Sequence, residues 1–600
     1  MKKLIIIILA IGSTLLYSQN NNVINALNEE LNRNFSNLKI DNLKPLKYIE
    51  YALSDGEVYE LNVSYGSVIT ENSKKITKPF AEVIVGEDIR TSENYISQNS
   101  LWGFNFFDNV NIEKDPIPLK IHFWNETDNL YKNEAETFEN KISTMSQQKI
   151  DEIELNLNDF YSSSKQTINI DRPQISIDKN KWKAIIKSMS NVFFKYPEIE
   201  NSNVYFNVFD TYIYYVNSEN TTAQYPITIY SIKVKASTHA EDGEELSDYM
   251  LIYSASADNL PDVKTLLSKT EDLAKNLSGL KSATVFNDAY AGPVLFEGQA
   301  AAEIFLQVFL KSDNALYAKR KPIIEKSVIE RYSSYIGNTS NKLDYRFNKK
   351  IISRDLTITA MPNSVLDKNK NLFGKYSIDA QGIIPLKDHV LIDKGVLKSF
   401  MNDRIPTQNE KSSNGHKQWV ISNNGIVQDI GPGVIQMTSE NTLNNKQIIE
   451  KLKSVADEED LDYVLIVRKV KNNNSGLDKI SQSYFSSDTE KKGINLLYVF
   501  KYYVKTGKEE LVRSIELDRL TISSFKRVLG VTKENITYKT MLNSKEHITV
   551  WWRGNPSNLN GMPSTVIVPY AILFEELELQ KTKSIIVDTP TIVESPIASE

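Results

Sequence analysis

Gly292-Pro293-Val294-Leu295-Phe296-Glu297-Gly298-Gln299-Ala300-Ala301-Ala302 joins a short apolar run to an alanine-rich one. Pro293 to Phe296 reads as a strand. Gly298 to Lys311 reads as a helix, with Ala301, Ile304, Phe305, Val308 and Phe309 on one apolar side. Upstream, Trp182, Ile185, Ile186, Met189, Val192 and Phe193 form a helical stripe stopped by Pro197. Strand-like runs follow at 204–217, 225–237 and 249–255. Then comes a helix carrying Val263, Leu266, Leu267, Leu273, Ala274 and Leu277. A helix, three strands and a helix make an α+β unit on an antiparallel sheet. Tyr212, Tyr214 and Tyr215 read as sheet-face packing rather than a base-stacking platform.

Further from the centre, Val23, Ile24, Leu27, Leu31 and Phe35 predict an amphipathic helix over 22–38. Residues 48–53, 58–70 and 80–85 read as strands, 126–146 as a charged helix and 151–172 as a polar connector. After Ser333 the chain is rich in strands and turns: 351–359, 382–392, 463–470, 495–504 and 511–517, with helices only at 445–457 and 522–529. That pattern predicts a large β-rich, barrel-like domain. The fold class is therefore α+β, with N-terminal α/β sheet domains followed by a β-rich barrel-like C-terminal domain.

Composition narrows function. The 600 residues are 41% hydrophobic and 24% charged, as in a globular protein. A net charge of −6 gives no basic excess for nucleic acid. With no Cys, disulfides, thiolate zinc sites and cysteine nucleophiles are excluded. Lys2 and Lys3, the apolar run Leu4 to Leu16 and Tyr17-Ser18-Gln19 read as a signal peptide cut after Ser18. The run is too short for a stable membrane span. The expected location is exported, either periplasmic or secreted, from a bacterial source.

HExxH, P-loop, GxSxG and GxGxxG patterns are all absent. The five His are 122, 239, 389, 416 and 547. His239-Ala240-Glu241-Asp242 reads as a solvated loop between strands. His416, in Ser412-Ser413-Asn414-Gly415-His416-Lys417, reads as an exposed loop histidine, though loops also carry function. Trp551-Trp552-Arg553 after His547 reads as an end-of-strand cluster, with ligand stacking the alternative.

Several segments together carry a resemblance: 292–302; Tyr215-Val216-Asn217-Ser218-Glu219; Asp393-Lys394-Gly395-Val396-Leu397-Lys398; Asp403-Arg404; the Asn414-Gly415-His416 loop; Pro432-Gly433; and Ile448-Ile449-Glu450-Lys451-Leu452. In this order the chain resembles the TldD/PmbA family of metallopeptidase-related proteins, in its exported branch, over roughly residues 180–580. Ala26 to Phe35 also looks like the extra domain of exported members. With the signal peptide read at 1–18, the resemblance implies an N-terminal extension domain at 19–172. It implies a TldD/PmbA-like N-terminal domain at 173–330 with a degenerate helix at 298–311, a β-rich C-terminal domain at 331–580 and a loose tail at 581–600.

Active members carry HExxxH on the helix after the GPV-like strand, and a Cys completes the zinc site. Leu306, Gln307 and Lys311 stand at those positions here, and residues 290–320 hold no His. Leu offers zinc no lone pair, Gln is no general base, and Lys brings a positive charge where the cation should sit. The resemblance is thus to the zinc-less PmbA/TldE-like subunit of a dimer with an enclosed cavity. It implies no catalytic residue, metal or cofactor in this chain, zinc in an HExxxH-containing TldD-like partner, and extended peptides as the bound class. Two other readings stand beside it. One is a metallopeptidase with zinc on other residues such as His239, Glu241 or His416. The other is a stand-alone envelope binding protein.

Overall fold

The computed structural model describes residues 22–87, 89–97, 112–173, 177–311, 315–332, 341–363, 372–422, 425–472, 494–543, 561–582, 593 and 595–599. The signal-peptide segment, His547, Trp551, Trp552, Arg553 and most of the tail lie outside these residues.

The N-terminal half is built on a long hairpin, Leu46–Ser64 and Ser67–Val85. The span 58–70 is therefore not one strand. Tyr65 (φ 43°) and Gly66 (φ 68°) reverse the chain in a two-residue turn with both residues at positive φ. Strand Leu46–Ser64 pairs antiparallel with Asn201–Asn217, which pairs with Thr222–His239. That strand then takes Glu245–Ser254 on its far side and the short parallel Thr167–Asn169. One six-stranded sheet thus runs across the expected boundary at residue 172.

Period-two alternation buries both faces of this sheet. Along Leu46–Ser64 the odd residues face helices. Tyr51 and Leu53 pack under Val23, Leu27 and Leu31 of helix 22–37 and Leu119 and Phe123 of Pro116–Gln147. Tyr59, Leu61 and Val63 pack under Trp182, Ile186 and Met189 of Lys179–Asn191 and Leu273 and Leu277 of Val263–Lys281. The opposite face, Ala52, Val58, Ile213 and Tyr215, meets Phe373, Ile378, Trp419 and Ile421 of the C-terminal half. Tyr212 and Tyr214 serve the helical side and Tyr215 the other, each no more than 2% exposed. Phe35, expected in the first helix's apolar stripe, is 38% exposed.

In the C-terminal half, strand Tyr290–Glu297 lies between Tyr463–Val470, parallel, and Ala571–Lys581, antiparallel. Tyr463–Val470 pairs with Ile494–Tyr503, which pairs with Ile515–Leu517, which returns to Ala571–Lys581. These five strands close a barrel. A second sheet orders Val396–Leu397, His389–Asp393, Leu356–Ala360, Val434–Ser439, Met562–Pro569 and Asn535–Leu542. Helix Gln299–Phe309 sits against Tyr463–Val470 of the barrel and against Met562–Pro569 and Asn535–Leu542 of this sheet. Residues 290–297 thus belong to the barrel by strand pairing. Segment 522–529 is a 3-10 turn over Ile522–Arg527 followed by a strand Val528–Thr532, not one helix. The hairpin 417–422/425–430 and strands 562–569 and 571–581 went unread in the sequence.

Between the halves, Arg404 is fully buried, its guanidinium 4.5 Å from the Tyr48 ring and 4.3 Å from Phe160. It donates to Glu219 Oε2 (2.6 Å) and to the Tyr161 carbonyl (2.8 Å). Nearby, Asp379 accepts from the backbone N–H groups of Gln381 (2.9 Å), Ile383 (2.8 Å) and Lys417 (3.3 Å). Burial outweighs these bonds and pushes its carboxyl up to about 7.

Two outcomes are expected. Gly66→Ala places a Cβ at φ 68° and 2.1 Å from Asn191 Oδ1, so chemical denaturation should record a loss of about 1–2 kcal/mol. The raised Asp379 carboxyl favours the fold below its unfolded value near 4, and that contribution is lost as pH rises through 7. Asp379→Asn should therefore cut the stability difference between pH 5 and pH 7 by about 2 kcal/mol in urea melts at the two pH values.

Candidate functional site

The site grows from the turn that ends strand Tyr290–Glu297. Gly298 adopts φ 58°, a region L-residues avoid, and its N–H donates to the Tyr570 carbonyl (2.7 Å). The helix begins at once. Its Ala300, Ala301, Ala302, Ile304, Phe305, Leu306, Val308 and Phe309 are all buried in the main core. At 3.6 residues per turn, Gln299, Glu303 and Gln307 share the remaining face, and Lys311, just past the helix end, reaches back to it.

That face forms a closed polar ladder. Glu303 is fully buried. Its Oε1 accepts from Lys311 Nζ (3.0 Å) and Gln307 Nε2 (3.3 Å), and its Oε2 from Asn472 Nδ2 (2.8 Å). Asn472 also donates to Tyr538 Oη (3.2 Å), and Gln307 to the Lys471 carbonyl (3.1 Å). Gln299 Nε2 donates to Tyr249 Oη (3.0 Å), while its Oε1 accepts from the Val470 N–H (2.9 Å). Next to it, Asp248 holds Lys469 (2.6 Å) and Tyr498 (2.7 Å). Burial first, then neighbouring negative groups, pushes the Tyr249 and Tyr538 phenols well up, so both stay protonated.

Of the residues singled out in the sequence, Gln307 and Lys311 meet at Glu303. Leu306 points into the apolar core and joins neither. Glu303, Gln299, Asn472, Tyr249 and Tyr538 were missed. The signal for the first two was present as a four-residue spacing of polar side chains through an apolar helix. The last three come from distant strands and loops and carried none.

His239 pairs with Glu200 (2.7 Å), and Glu241 is exposed. His416 is not an exposed loop residue but fully buried, 5.2 Å ring to ring from His389. The reason is the short loop: Gly415 at φ 77° packs against Pro385, and its carbonyl accepts from Tyr376 Oη (2.9 Å). Among the described residues, no three His, Asp or Glu side chains gather as a metal-binding group.

The model of the PmbA/TldA metallopeptidase C-terminal domain matches residues 290–581, which begin on the strand feeding this helix. Residues 290–581 belong to the TldD/PmbA family. No curated relative matches the sequence. Three solved structures share the fold. A candidate modulator of a DNA gyrase from Thermotoga maritima has 10% identity and a TM-score of 0.54, over 92% of this chain and 99% of that one. TldE from Thermococcus kodakarensis has 12% and 0.50, over 89% and 96%. A candidate modulator of DNA gyrase from Bacteroides thetaiotaomicron has 13% and 0.52, over 93% and 98%. At such identities the likeness is one of fold. The TldD/PmbA fold therefore spans both halves, and the polar ladder sits on the helix where the family's zinc-binding pattern was expected.

The ladder makes an energetic prediction. Lys311→Met leaves the buried Glu303 carboxylate without its cation and should cost about 3 kcal/mol or more. The double variant Glu303→Gln with Lys311→Met removes both charges and should lose markedly less. Denaturant titration of the single and double variants measures the coupling.

Proposed function

We propose that this TldD/PmbA protein is the non-catalytic subunit of an exported peptide-cleaving heteromer, in which it holds extended peptides while a zinc-bearing homologue cuts them. The observation that carries the reading is the use of Glu303. The one carboxylate on the polar face of helix Gln299–Phe309 is already engaged by Lys311, Gln307 and Asn472. A zinc ion needs three or four lone-pair donors. Here the neighbouring groups are amide and ammonium donors, which favour the carboxylate's remaining as it is and repel a cation. Gln307 and Lys311, the two aligned polar positions, point donors at Glu303 rather than lone pairs at a metal.

A fold of this size without chemistry on its central helix still offers walls and strand edges. Main-chain pairing to a sheet edge binds extended peptides with little sequence preference. The likeness to TldE in fold and the basic, apolar run at residues 2–16 support the heteromer and the export parts of the reading. The partner is expected to carry HExxxH.

Co-production with an exported HExxxH homologue from the same host tests it. The expected result is a co-eluting complex that hydrolyses unfolded peptides and is stopped by a chelator, while this chain alone does not cleave them. Failure to co-elute, or chelator-sensitive cleavage by this chain alone, rejects the proposal.

A further inference from the structure

The second buried histidine, His389, changes how His416 is read. His389 opens the strand His389–Asp393 and is 6% exposed, while His416 precedes the strand Lys417–Ser422 and is 0% exposed. Each ring has one nitrogen held and one free. His389 Nε2 lies 2.6 Å from Ser399 Oγ, and that hydroxyl donates to Glu410 Oε1 (2.6 Å). The serine therefore accepts from His389, so Nε2 carries the proton and Nδ1 the lone pair. His416 Nδ1 faces two acceptors, Asn414 Oδ1 (2.9 Å) and the Asn414 carbonyl (3.1 Å). Its proton is on Nδ1, and Nε2 keeps the lone pair. Among the described residues, His389 Nδ1 and His416 Nε2 are both buried without a partner.

A third acceptor in the same condition is close by in the bonding network. Asn402 is 1% exposed, and its Oδ1 has no partner among the described residues. Its backbone N–H donates to Asn414 Oδ1 (2.7 Å), the same oxygen that holds His416, and its Nδ2 donates to the Ser412 carbonyl (3.1 Å). Three buried lone pairs with no donor is an arrangement proteins avoid, because each costs the desolvation of a polar atom.

We propose that His389 Nδ1 and His416 Nε2, with Asn402 Oδ1, form a binding site for a borderline divalent transition ion such as zinc, separate from the helix Gln299–Phe309. The outer arrangement is that of metal-bound imidazoles, whose second N–H is fixed by an oxygen acceptor that sets tautomer and orientation. Ser399 backed by Glu410 does this for His389, and Asn414 does it for His416. The spacing also selects. A zinc–nitrogen bond of about 2.0–2.1 Å puts the ion about 3.2 Å from an imidazole centre, so an ion shared by the two free nitrogens at this ring separation would see the rings about 109° apart. The two ring centres lie 5.2 Å apart. A linear two-coordinate ion would need ring centres about 6 Å or more apart. Two nitrogens and an amide oxygen are a sparse ligand set, so the site is weaker than a three-histidine or thiolate centre and structural or regulatory in kind. Zinc here needs no partner subunit and no peptide, so its test stands apart from that of the heteromer.

Untagged full-length protein, stripped with chelator and dialysed against zinc at micromolar concentration, should retain about one equivalent. Ser399→Ala, which removes only the outer hydroxyl, should weaken binding about tenfold, and His389→Gln with His416→Gln should abolish it. Should the double variant not fold, X-ray absorption at the zinc edge of the wild-type protein decides, with two imidazoles and oxygen the expected shell. No retained zinc, a shell without imidazole, or unchanged binding in a folded double variant overturns the site.

Discussion

Strand Tyr290–Glu297 is held on both edges by strands from the far end of the chain, and everything around the candidate site depends on that double pairing. Its register fixes Gly298. Gly298 fixes where the helix starts, and the helix start fixes which residues share a face. The apolar residues of the helix then have one solution, burial between the barrel and the second sheet. Gln299, Glu303, Gln307 and Lys311 take what is left. A buried carboxylate in that position must be neutralised locally, and Lys311, Gln307 and Asn472 do so. The ladder is thus a consequence of packing as much as of chemistry.

The same logic organises the N-terminal half. A sheet covered on one face by four helices and on the other by the C-terminal half has no solvent-facing side over most of its length. Its strands are accordingly rich in Tyr, Phe, Ile and Val on both parities. Some polar residues that remain inside are paired across the two halves, as Arg404 is with Glu219 and the Tyr161 carbonyl. The aromatic faces of Tyr48 and Phe160 take the remaining surface of that guanidinium.

Much of this was legible from residue order alone. Helical stripes such as Trp182-Ile186-Met189 and the period-two runs around Tyr212 and Tyr225 need only local spacing, and they fell where expected. The strand–glycine–helix unit at 290–309 was legible for the same reason. What was not legible depends on distant partners. The apolar run 566–574 gave no period to separate two strands, which are divided only at Tyr570 and enter different sheets. The turn at Tyr65-Gly66 was hidden because alternation continues through it. His416 looked exposed because its loop is polar and holds a glycine, yet Tyr376 and Pro385 seal it from outside the segment. Asn472, Tyr249 and Tyr538 reach Glu303 from elements scattered through the chain, which no one-dimensional pattern records.

The five-stranded closure has a consequence for synthesis. Strand Ala571–Lys581 leaves the ribosome on the order of 270 residues after the strand it must pair with, a delay of roughly 15–55 s at ordinary elongation rates. Until then the apolar helix Gln299–Phe309 lacks part of its housing. A nascent chain of this design spends that interval with an adhesive surface uncovered, and it is a natural client for a holding chaperone.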